Sequence, residues 1–316
     1  MNRSKWLSVA GPAAISFLAA GEYNENYLVH SSQGQFVFRI NHGSQLGLDN
    51  QIQYEFQVLE AVYGSGVTPR PLYWLLDPEQ ESLGDGVMLM EFLPGRPLDY
   101  DRDADEAARI FARVHSQPED ARLLVQRNPV LDIARESRVL IDRYALDHPL
   151  ENRRSLLLEY HDRVLGWGEE AERLFAGEPL VIVNTEVNSH NFLIDDSGPD
   201  KRGYLVDWEK AVVSCRYQDL GHFLVPTTTL WKSDRRYSQQ EKKAFLEQYL
   251  SETGLECCIE EMAYKTDILE NTILLRAMAW CFMAFYEYTR EDRVLKNEYT
   301  FKKITQYLNE MECFFA

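Results

Sequence analysis

The sequence has few cysteines, no long hydrophobic run and little positive charge. Its five cysteines are odd in number, form no CxxC pair and have no histidine at metal-ligand spacing. These features argue against a disulfide framework and a zinc site, and we expect reduced thiols, mostly in the core, of a cytoplasmic protein. The apolar run near the N-terminus is too short and too broken to span a bilayer. We therefore expect no membrane association.

Basic residues are outnumbered by acidic ones. The chain has 33 lysines and arginines against 50 aspartates and glutamates, a formal net charge of −17. Most of such a surface repels nucleic acid and anionic lipid, so neither is an expected partner. The charge would favour a cationic small molecule, or it serves only to keep the protein soluble. No pattern in the sequence indicates an oligomeric state.

Chain length and the order of the predicted elements indicate an α+β protein with two lobes. With 316 residues the chain exceeds one typical domain. Runs of β-forming residues predict a small antiparallel sheet, and one amphipathic helix over about 49–63, with Asp49 or Asn50 as its N-cap, accompanies it. The predicted strands are 15–18, 27–30, 35–40, 72–76 and 86–92.

The segment Leu93-Pro-Gly-Arg-Pro97 interrupts this pattern and reads as a hinge. We predict an N-terminal lobe over 1–92 and a larger, mainly helical C-terminal lobe over 93–316. Helical periodicity in the second lobe is found at 104–116, about 130–145, about 151–176, 239–252, 259–289 and 298–315. Its only clear strands are predicted at 180–183, 191–194 and 203–207.

Polar side chains stand at the ends of two of these short strands. The loop Asn184-Thr-Glu-Val-Asn-Ser-His-Asn191 leads into one strand, and Asp207-Trp-Glu209 follows the next. Glu186, Asn191 and Asp207 are thereby placed at the lips of two adjacent short strands.

This layout resembles the aminoglycoside phosphotransferase and choline kinase family, whose members are relatives of the protein kinases. The resemblance extends from about Ser16 to about Leu224. The family's catalytic loop has the form H-G-D-x-x-x-x-N, followed by an apolar strand and an acidic D-W/F-E/G. Here Asn184 replaces the histidine and Glu186 replaces the aspartate. The resemblance implies that Glu186 orients the substrate hydroxyl and accepts its proton, and that Asn191 and Asp207 hold Mg²⁺, as phosphoryl transfer requires. The resemblance implies a bilobal protein-kinase-like fold and transfer of the ATP γ-phosphate, with Mg²⁺, to a hydroxyl of a small, cationic acceptor.

The resemblance also implies which residues of the first lobe bind the nucleotide. Arg39 occupies the place of the kinase lysine that touches the α- and β-phosphates, and Glu55 on the following helix would pair with it. Arginine stays charged and binds phosphate through two parallel hydrogen bonds. Gly21, Asn24 and Tyr27 match the family's G-x-x-N-x-x-Y version of the nucleotide-covering loop.

Further positions follow from the register of the resemblance. Glu91 and Leu93 fall where backbone groups would bind adenine. Asp219 matches the acidic residue that supports the catalytic loop from below, outside the first layer of contacts with the substrate. His115 matches a common helix end and is expected to be structural. Candidate residues around the acceptor are Trp231, Trp280, Tyr286, Glu287 and Asp292.

Glu186 leaves two hypotheses open. Its carboxylate is one methylene, ~1.5 Å, further from the backbone than that of aspartate. Either the acceptor lies further from the loop, or the protein is a pseudokinase that binds nucleotide with little or no transfer. A protein kinase is a third class, but the segment 207–219 is too short for an extended activation loop. Aminoglycosides, choline, homoserine, thiamine and sugars are all compatible acceptors.

Overall fold

The computed structural model describes residues 14–21, 23–144, 149–290 and 297–315. In these residues a five-stranded antiparallel sheet forms the N-terminal lobe, and helices with two small sheets form the C-terminal lobe. The α+β fold class is therefore as predicted. The boundary between residues 92 and 93 stays a prediction, and Asp292 lies outside the described residues.

The N-terminal sheet consists of neighbouring strands that all run antiparallel, in the order β1-β2-β3-β5-β4. Arg39 lies opposite Asn26 on one side and Met88 on the other, so it belongs to the middle of the sheet. The strands are β1 Ala14–Ala20, β2 Asn24–Ser31, β3 Gly34–Asn41, β4 Pro71–Leu76 and β5 Gly86–Glu91.

Helix α1, Gln51–Val62, packs on this sheet. Ile52, Leu59 and Val62 are buried, as their spacing predicts for one face of a helix. Asn50 holds the N-cap position, but its side chain makes no capping hydrogen bond. The helix is therefore stabilised mainly by its buried face, which also carries Glu55 toward the second lobe.

The segment predicted as a hinge is partly ordered by pairing. Strand β6, Arg96–Pro97, lies antiparallel to strand β8, Phe192–Asp195, with Arg96 opposite Ile194. The Arg96 guanidinium also contacts Asp103, 2.6 Å away, before the first helix of the C-terminal lobe. The two paired strands are almost a hundred residues apart in the sequence. Local patterns therefore do not predict their pairing and indicate only the two prolines.

The C-terminal lobe is built around α8, Ile259–Thr289. This helix is long and apolar enough to cross a membrane, but 72% of its most apolar window is buried inside the protein. Among the described residues it packs against six other helices of the lobe. The remaining helices are α2 Ala104–His115, α3 Pro129–Asp142, α4 Glu151–Leu174, α5 Tyr217–Leu224, α6 Pro226–Lys232, α7 Gln239–Thr253, α9 Glu298–Asn309 and α10 Met311–Phe315.

Four short strands position the polar loops of this lobe. Strand β7, Leu180–Val183, pairs antiparallel with β10, Val212–Cys215. Strand β8, Phe192–Asp195, lies between β6 and β9, Arg202–Leu205. The loop from β7 to β8 and the segment from β9 to β10 consequently meet at the face that points to the N-terminal lobe, as the bond between Arg39 and Asp207 shows.

Several predictions for this lobe were wrong. Strands β6 and β10 and helices α5 and α6 were not predicted, because elements of two to eight residues depend on tertiary partners more than on local periodicity. The predicted helix 298–315 is divided between Asn309 and Met311. The thiols are free, but only Cys215 and Cys281 are buried in the core, whereas Cys258 and Cys313 are exposed.

Candidate active site

The loop after β7 has a backbone that the surrounding side chains hold in place. Thr185 and Asp207 both adopt left-handed conformations, with φ of 67° and 65°. Such conformations cost roughly 1 kcal/mol or more for residues other than glycine. The side chain of Asn184 offsets part of this cost by joining the loop after β7 to the segment that contains Asp207. Its side-chain N–H donates to the Asp207 carbonyl at 2.9 Å, and its side-chain oxygen accepts from the backbone N–H of Glu186 at 3.0 Å.

Asp219 on α5 lies beneath the same loop. Its two carboxylate oxygens accept the backbone N–H groups of Asn184 and Thr185, each at 2.8 Å. His115 contacts this carboxylate through Nε2 at 3.3 Å and Tyr249 through Nδ1 at 2.9 Å, entirely inside the protein. Burial is the largest influence on His115 and lowers its pKa, so the imidazole is neutral there and has a structural position.

Three carboxylates converge in front of the loop. Oxygens of Glu186, Asp207 and Glu209 lie within 4.8 Å of one another. Burial, and then the charges of Asp207 and Glu55, raise the pKa of Glu209 to about 8. Asn191 borders the group, since its amide donates to the Glu186 carbonyl at 2.7 Å. The arrangement concentrates oxygen ligands and like charge at one point.

Glu209 was not among the predicted site residues. It follows Trp208, which is fully buried, so the carboxylates of Asp207 and Glu209 flank an inward-pointing side chain. A second carboxylate two residues after Asp207, in the same short acidic segment, was the signal that could have identified Glu209.

Arg39 connects the carboxylates to the N-terminal lobe. Its Nη1 donates to Glu55 and, at 3.1 Å, to Asp207, while its Nε donates to Asn26 at 2.9 Å. The guanidinium and Glu55 are both buried. Burial raises the pKa of Glu55, and the charge of Arg39 opposes that rise. The structure thus brings together Arg39, Glu55 and Asp207, residues from three distant parts of the sequence.

Two residues of the predicted nucleotide-covering loop, Gly21 and Asn24, lie at the junction of β1 and β2, and their assignment to the nucleotide stays a prediction. Asn24 is buried, where its amide donates to Glu209 and its oxygen accepts from Asn41 at 2.9 Å. At Gly21 an added Cβ would have nothing within 4 Å, so the surroundings place no steric restriction on the side chain at this position. Asn24 therefore braces the acidic group from the sheet, and the local structure gives no packing reason for glycine at position 21.

The residues expected at an adenine-binding hinge lie apart from this group. Glu91 ends β5; its N–H donates to the Arg70 carbonyl at 2.9 Å, and its carboxylate accepts the Arg70 N–H at 3.1 Å. Leu93 is half-buried. Among the hydrogen bonds of the described residues, none joins Glu91 or Leu93 to the acidic group. Their assignment stays a prediction.

A cavity of about 560 Å³ opens beside Glu186. Trp231, Trp280 and Glu287 line it, as expected of residues around an acceptor. Tyr286 is not in its wall and instead packs against Tyr144, with ring centroids 4.5 Å apart. Further lining residues, not predicted, are Lys210, His222 and Arg276. Lys210 is directed at Glu186, with its Nζ 2.9 Å from Oε1.

The side chains present fit a divalent cation and a polyphosphate. Carboxylate and amide oxygens are the ligands that Mg²⁺ prefers. The pKa of Glu209 is raised by burial and then by the charges of Asp207 and Glu55, and a bound cation would relieve that repulsion. Asp207 and Asn191 carry such oxygens at the edge of the group. Arg39 supplies a buried positive charge on the opposite side.

Comparisons with known proteins found a family match and several similar folds. The model of the phosphotransferase enzyme family matches residues 14–258. No curated protein sequence matches the chain. Three similar structures are as follows. An ethanolamine kinase from Plasmodium vivax is 14% identical, with a TM-score of 0.65 over 95% of this chain and 81% of that one. A choline kinase from Streptococcus pneumoniae is 16% identical, with a TM-score of 0.58 over 95% and 94%. An amicoumacin kinase in complex with AMP-PNP and Ca²⁺ is 14% identical, with a TM-score of 0.60 over 95% and 88%.

Proposed function

This chain belongs to the phosphotransferase enzyme family, and we propose that it transfers the γ-phosphate of ATP to a hydroxyl group of a small molecule. One observation carries the proposal: Arg39, Asp207 and Glu209 meet Glu186, which lines a cavity large enough for a small acceptor. Family membership supplies the reaction class, because members phosphorylate hydroxyl groups of small molecules. A cytoplasmic location is part of the proposal.

Arg39 and the metal ligands have the task of binding the nucleotide. Asp207 and Asn191 would hold Mg²⁺, which neutralises charge on the phosphates when bound. Glu55 and Asn26 fix the orientation of the Arg39 guanidinium. Its remaining N–H groups can therefore bind phosphate oxygens without a further loss of side-chain freedom. The hydrogen bond from Asn24 to Glu209 joins the segment that contains Asp207 to the N-terminal sheet.

Glu186 has the task of orienting the acceptor and taking its proton. The acceptor oxygen forms a bond to the γ-phosphorus, the bond from that phosphorus to the bridging oxygen of ADP breaks, and the hydroxyl proton passes to the Glu186 carboxylate. Lys210 holds one carboxylate oxygen, Oε1, at 2.9 Å. Within the described residues Oε2 accepts no hydrogen bond, so it is the oxygen available to a hydroxyl.

A pseudokinase of the same fold is the second candidate. The specific observation in its favour is the ion pair of Glu186 with Lys210, which occupies a carboxylate that a catalytic base must present to substrate. In that case the protein would bind nucleotide and metal without acceptor-dependent turnover.

An assay of ADP release separates the two candidates. The full chain is incubated with ATP, Mg²⁺ and panels of amino alcohols, sugars and hydroxy acids, and the phosphorylated product is identified by mass spectrometry. We expect acceptor-dependent ADP release, whereas nucleotide binding without any acceptor-dependent release would favour the pseudokinase.

Asp207→Ala is expected to abolish Mg²⁺-dependent nucleotide binding and turnover, because it removes a carboxylate ligand. Asp234→Ala, at an exposed aspartate outside the acidic group, is the matched control and should behave as the parent. Unchanged Mg²⁺·ATP affinity in Asp207→Ala would refute the metal site.

A further inference from the structure

The wall of the cavity next to Glu186 is basic. Lys210 and Arg276 both line it, and Arg276 projects from α8 to donate from Nη2 to the Thr185 carbonyl at 3.3 Å. Thr185 immediately precedes Glu186 in the loop. Two cations are therefore gathered around the carboxylate that would receive the acceptor's proton.

These two cations differ in their partners. Lys210 forms an ion pair with Glu186, so that pair is neutral as a unit. Arg276 has no carboxylate within 4 Å among the described residues. A guanidinium has five N–H donors and stays protonated, and the Thr185 carbonyl engages one of them. Arg276 is thus a half-buried cation with donors to spare at the wall of an open cavity.

His222 lies in the same wall, and its pKa depends on the charged groups around it. Burial first, and then the charges of Arg276 and Lys210, hold its pKa well below the usual range. Its buried Nδ1 atom has no hydrogen-bond partner among the described residues. The imidazole is therefore neutral, and the surplus positive charge of this wall belongs to Arg276.

Neither of the other acidic residues of the cavity wall forms an ion pair with Arg276. Glu287 is also on α8 but follows Arg276 by eleven residues, which is roughly 16 Å along a helix. It accepts a hydrogen bond from Tyr144 at 2.9 Å and lies 3.9 Å from Arg143. Glu136, the remaining carboxylate of the wall, is an exposed residue on α3. Neither compensates Arg276.

We propose that the acceptor carries an oxyanion, a carboxylate or a phosphate group, and that Arg276 binds it beside the hydroxyl that is phosphorylated. This inference rests on the proposed function. Because Arg276 contacts the residue adjacent to Glu186, the oxyanion and the reacting hydroxyl lie on neighbouring parts of one small molecule, as in a hydroxy acid or a phosphorylated polyol. The substrate class therefore departs from the cationic acceptor that the net charge suggested.

The test measures binding to the full chain in the presence of ADP and Mg²⁺ by isothermal titration calorimetry. The probes are glycolate, glycerate, 3-hydroxybutyrate, gluconate and glycerol 3-phosphate, each compared with its amide or its dephosphorylated form, together with choline and ethanolamine. We expect at least one acid to bind more tightly than its uncharged counterpart. The carboxylate and phosphate pairs distinguish the two sources of oxyanion.

Arg276→Gln should weaken binding of that acid about tenfold to a hundredfold, because a charge-assisted hydrogen bond is lost. Arg276→Lys keeps the charge but not the planar fork and should be intermediate. Arg143→Gln removes a cation from the far end of the same cavity and should leave the affinity unchanged. Equal melting temperatures with ADP and Mg²⁺ show that the variants are folded.

Three results would overturn the inference: no acid preferred over its uncharged counterpart, preference for choline or ethanolamine, or acid binding that Arg276→Gln leaves intact. An equal loss of ATP affinity without any acceptor would assign Arg276 to the nucleotide instead, and this also overturns it. Failure of the proposed function is recognised separately, as absence of ADP and ATP binding in the parent. In that event the Arg276-dependent preference is scored on the chain without nucleotide.

Discussion

Glu186 combines a long acidic side chain with a cationic neighbour. Lys210 holds one of its oxygens at 2.9 Å, and both side chains are largely buried, with 27% and 17% of their surfaces exposed. An ion pair that is shielded from solvent is screened less than a surface pair, so Lys210 restrains the direction of the carboxylate. In the proposed reaction, the extra methylene relative to aspartate lets the carboxylate contact both the lysine and a hydroxyl in the cavity.

Substitution of Glu186 tests this arrangement. Glu186→Gln keeps the shape and removes the base, so kcat should fall by about a hundredfold or more while the affinity for ATP is retained. Glu186→Asp should also lose activity, because its carboxylate retreats by ~1.5 Å from Lys210 and from the acceptor. Both effects are measured as kcat on the acceptor identified in the ADP-release assay.

Glu119→Gln, at an exposed glutamate, is the control for loss of one acidic side chain. A Glu186→Asp variant that is more active than the parent on a genuine acceptor would show that the longer side chain is not an adaptation for transfer. A pseudokinase makes the opposite forecast, in which no acceptor is found and Glu186→Asp changes nothing or gains a weak ATPase activity.

Among the elements, α5 has the tightest packing requirement near the site. It carries Asp219, which holds the loop amides, and Gly221, whose added Cβ would lie 2.7 Å from the Glu270 nitrogen and 3.0 Å from the Leu269 carbonyl carbon. Both atoms belong to the backbone of α8 and cannot swing aside. Glycine at this position lets α5 approach α8 closely enough to hold the loop.

Gly221→Ala should therefore lower the free energy of unfolding by about 1–3 kcal/mol, the usual cost of overpacking. It should lower kcat as well, since α5 moves together with Asp219. Gly166→Ala is the matched control, because that glycine is exposed in α4 and an added Cβ there has nothing within 4 Å. This replacement should raise the free energy of unfolding by at most ~1 kcal/mol. Urea denaturation of the two variants checks both signs, and equal stability of the parent and Gly221→Ala would contradict the packing argument.

Element prediction succeeded where a helix has a buried face of its own. The limits of α1, α2, α7 and α8 agree with the predicted ones to within about two or three residues, because apolar residues at helical spacing mark each of them. The strand β10 and the helices α5 and α6 are short, and their residues are buried by neighbours from elsewhere in the chain. Local sequence carries little of that stabilising energy.

At the scale of the whole molecule, stability depends on pH because folding lowers the pKa of one buried group, His115, and raises the pKa of another, Glu209. The pKa of His115 is lowered in the folded protein, mainly by burial, and the unfolded chain takes up a proton near pH 6.5. A lowered pKa means that the contribution of neutral His115 is complete above about pH 6.5 and is lost as the pH falls below it. Glu209, whose pKa is raised to about 8, changes stability in the opposite direction, so the total curve does not isolate either group.

The difference in melting temperature between the parent and His115→Gln isolates the histidine. We expect this difference to shrink as the pH falls from about 7.5 to about 5, because the parent alone loses the contribution of the neutral imidazole. His30→Gln, at an exposed histidine on β2, should show no such change. A constant difference for His115→Gln across this range would mean that the imidazole is not held neutral in the fold.

The amino-acid sequence was sufficient for the fold class and for the residues that are close neighbours in the chain. Glu186, Asn191 and Asp207 could be predicted as a group because their side-chain types stand beside short apolar strands and match the catalytic-loop pattern of a known family. Arg39 and Glu55 were predicted from the same resemblance and from the order of a strand and a helix. Their roles stay predictions, whereas the structure shows that Arg39 contacts both Glu55 and Asp207.

The other half of the cavity wall depends on how distant segments pack. Arg276 and His222 reach the catalytic loop because α8 and α5 cross beneath it, and the close approach at Gly221 makes that crossing possible. The sign of the charge that meets the acceptor follows from this packing and not from the net charge of −17, which is a sum over the whole chain. A total charge carries no information about position, whereas electrostatic interaction depends on the distance between individual groups.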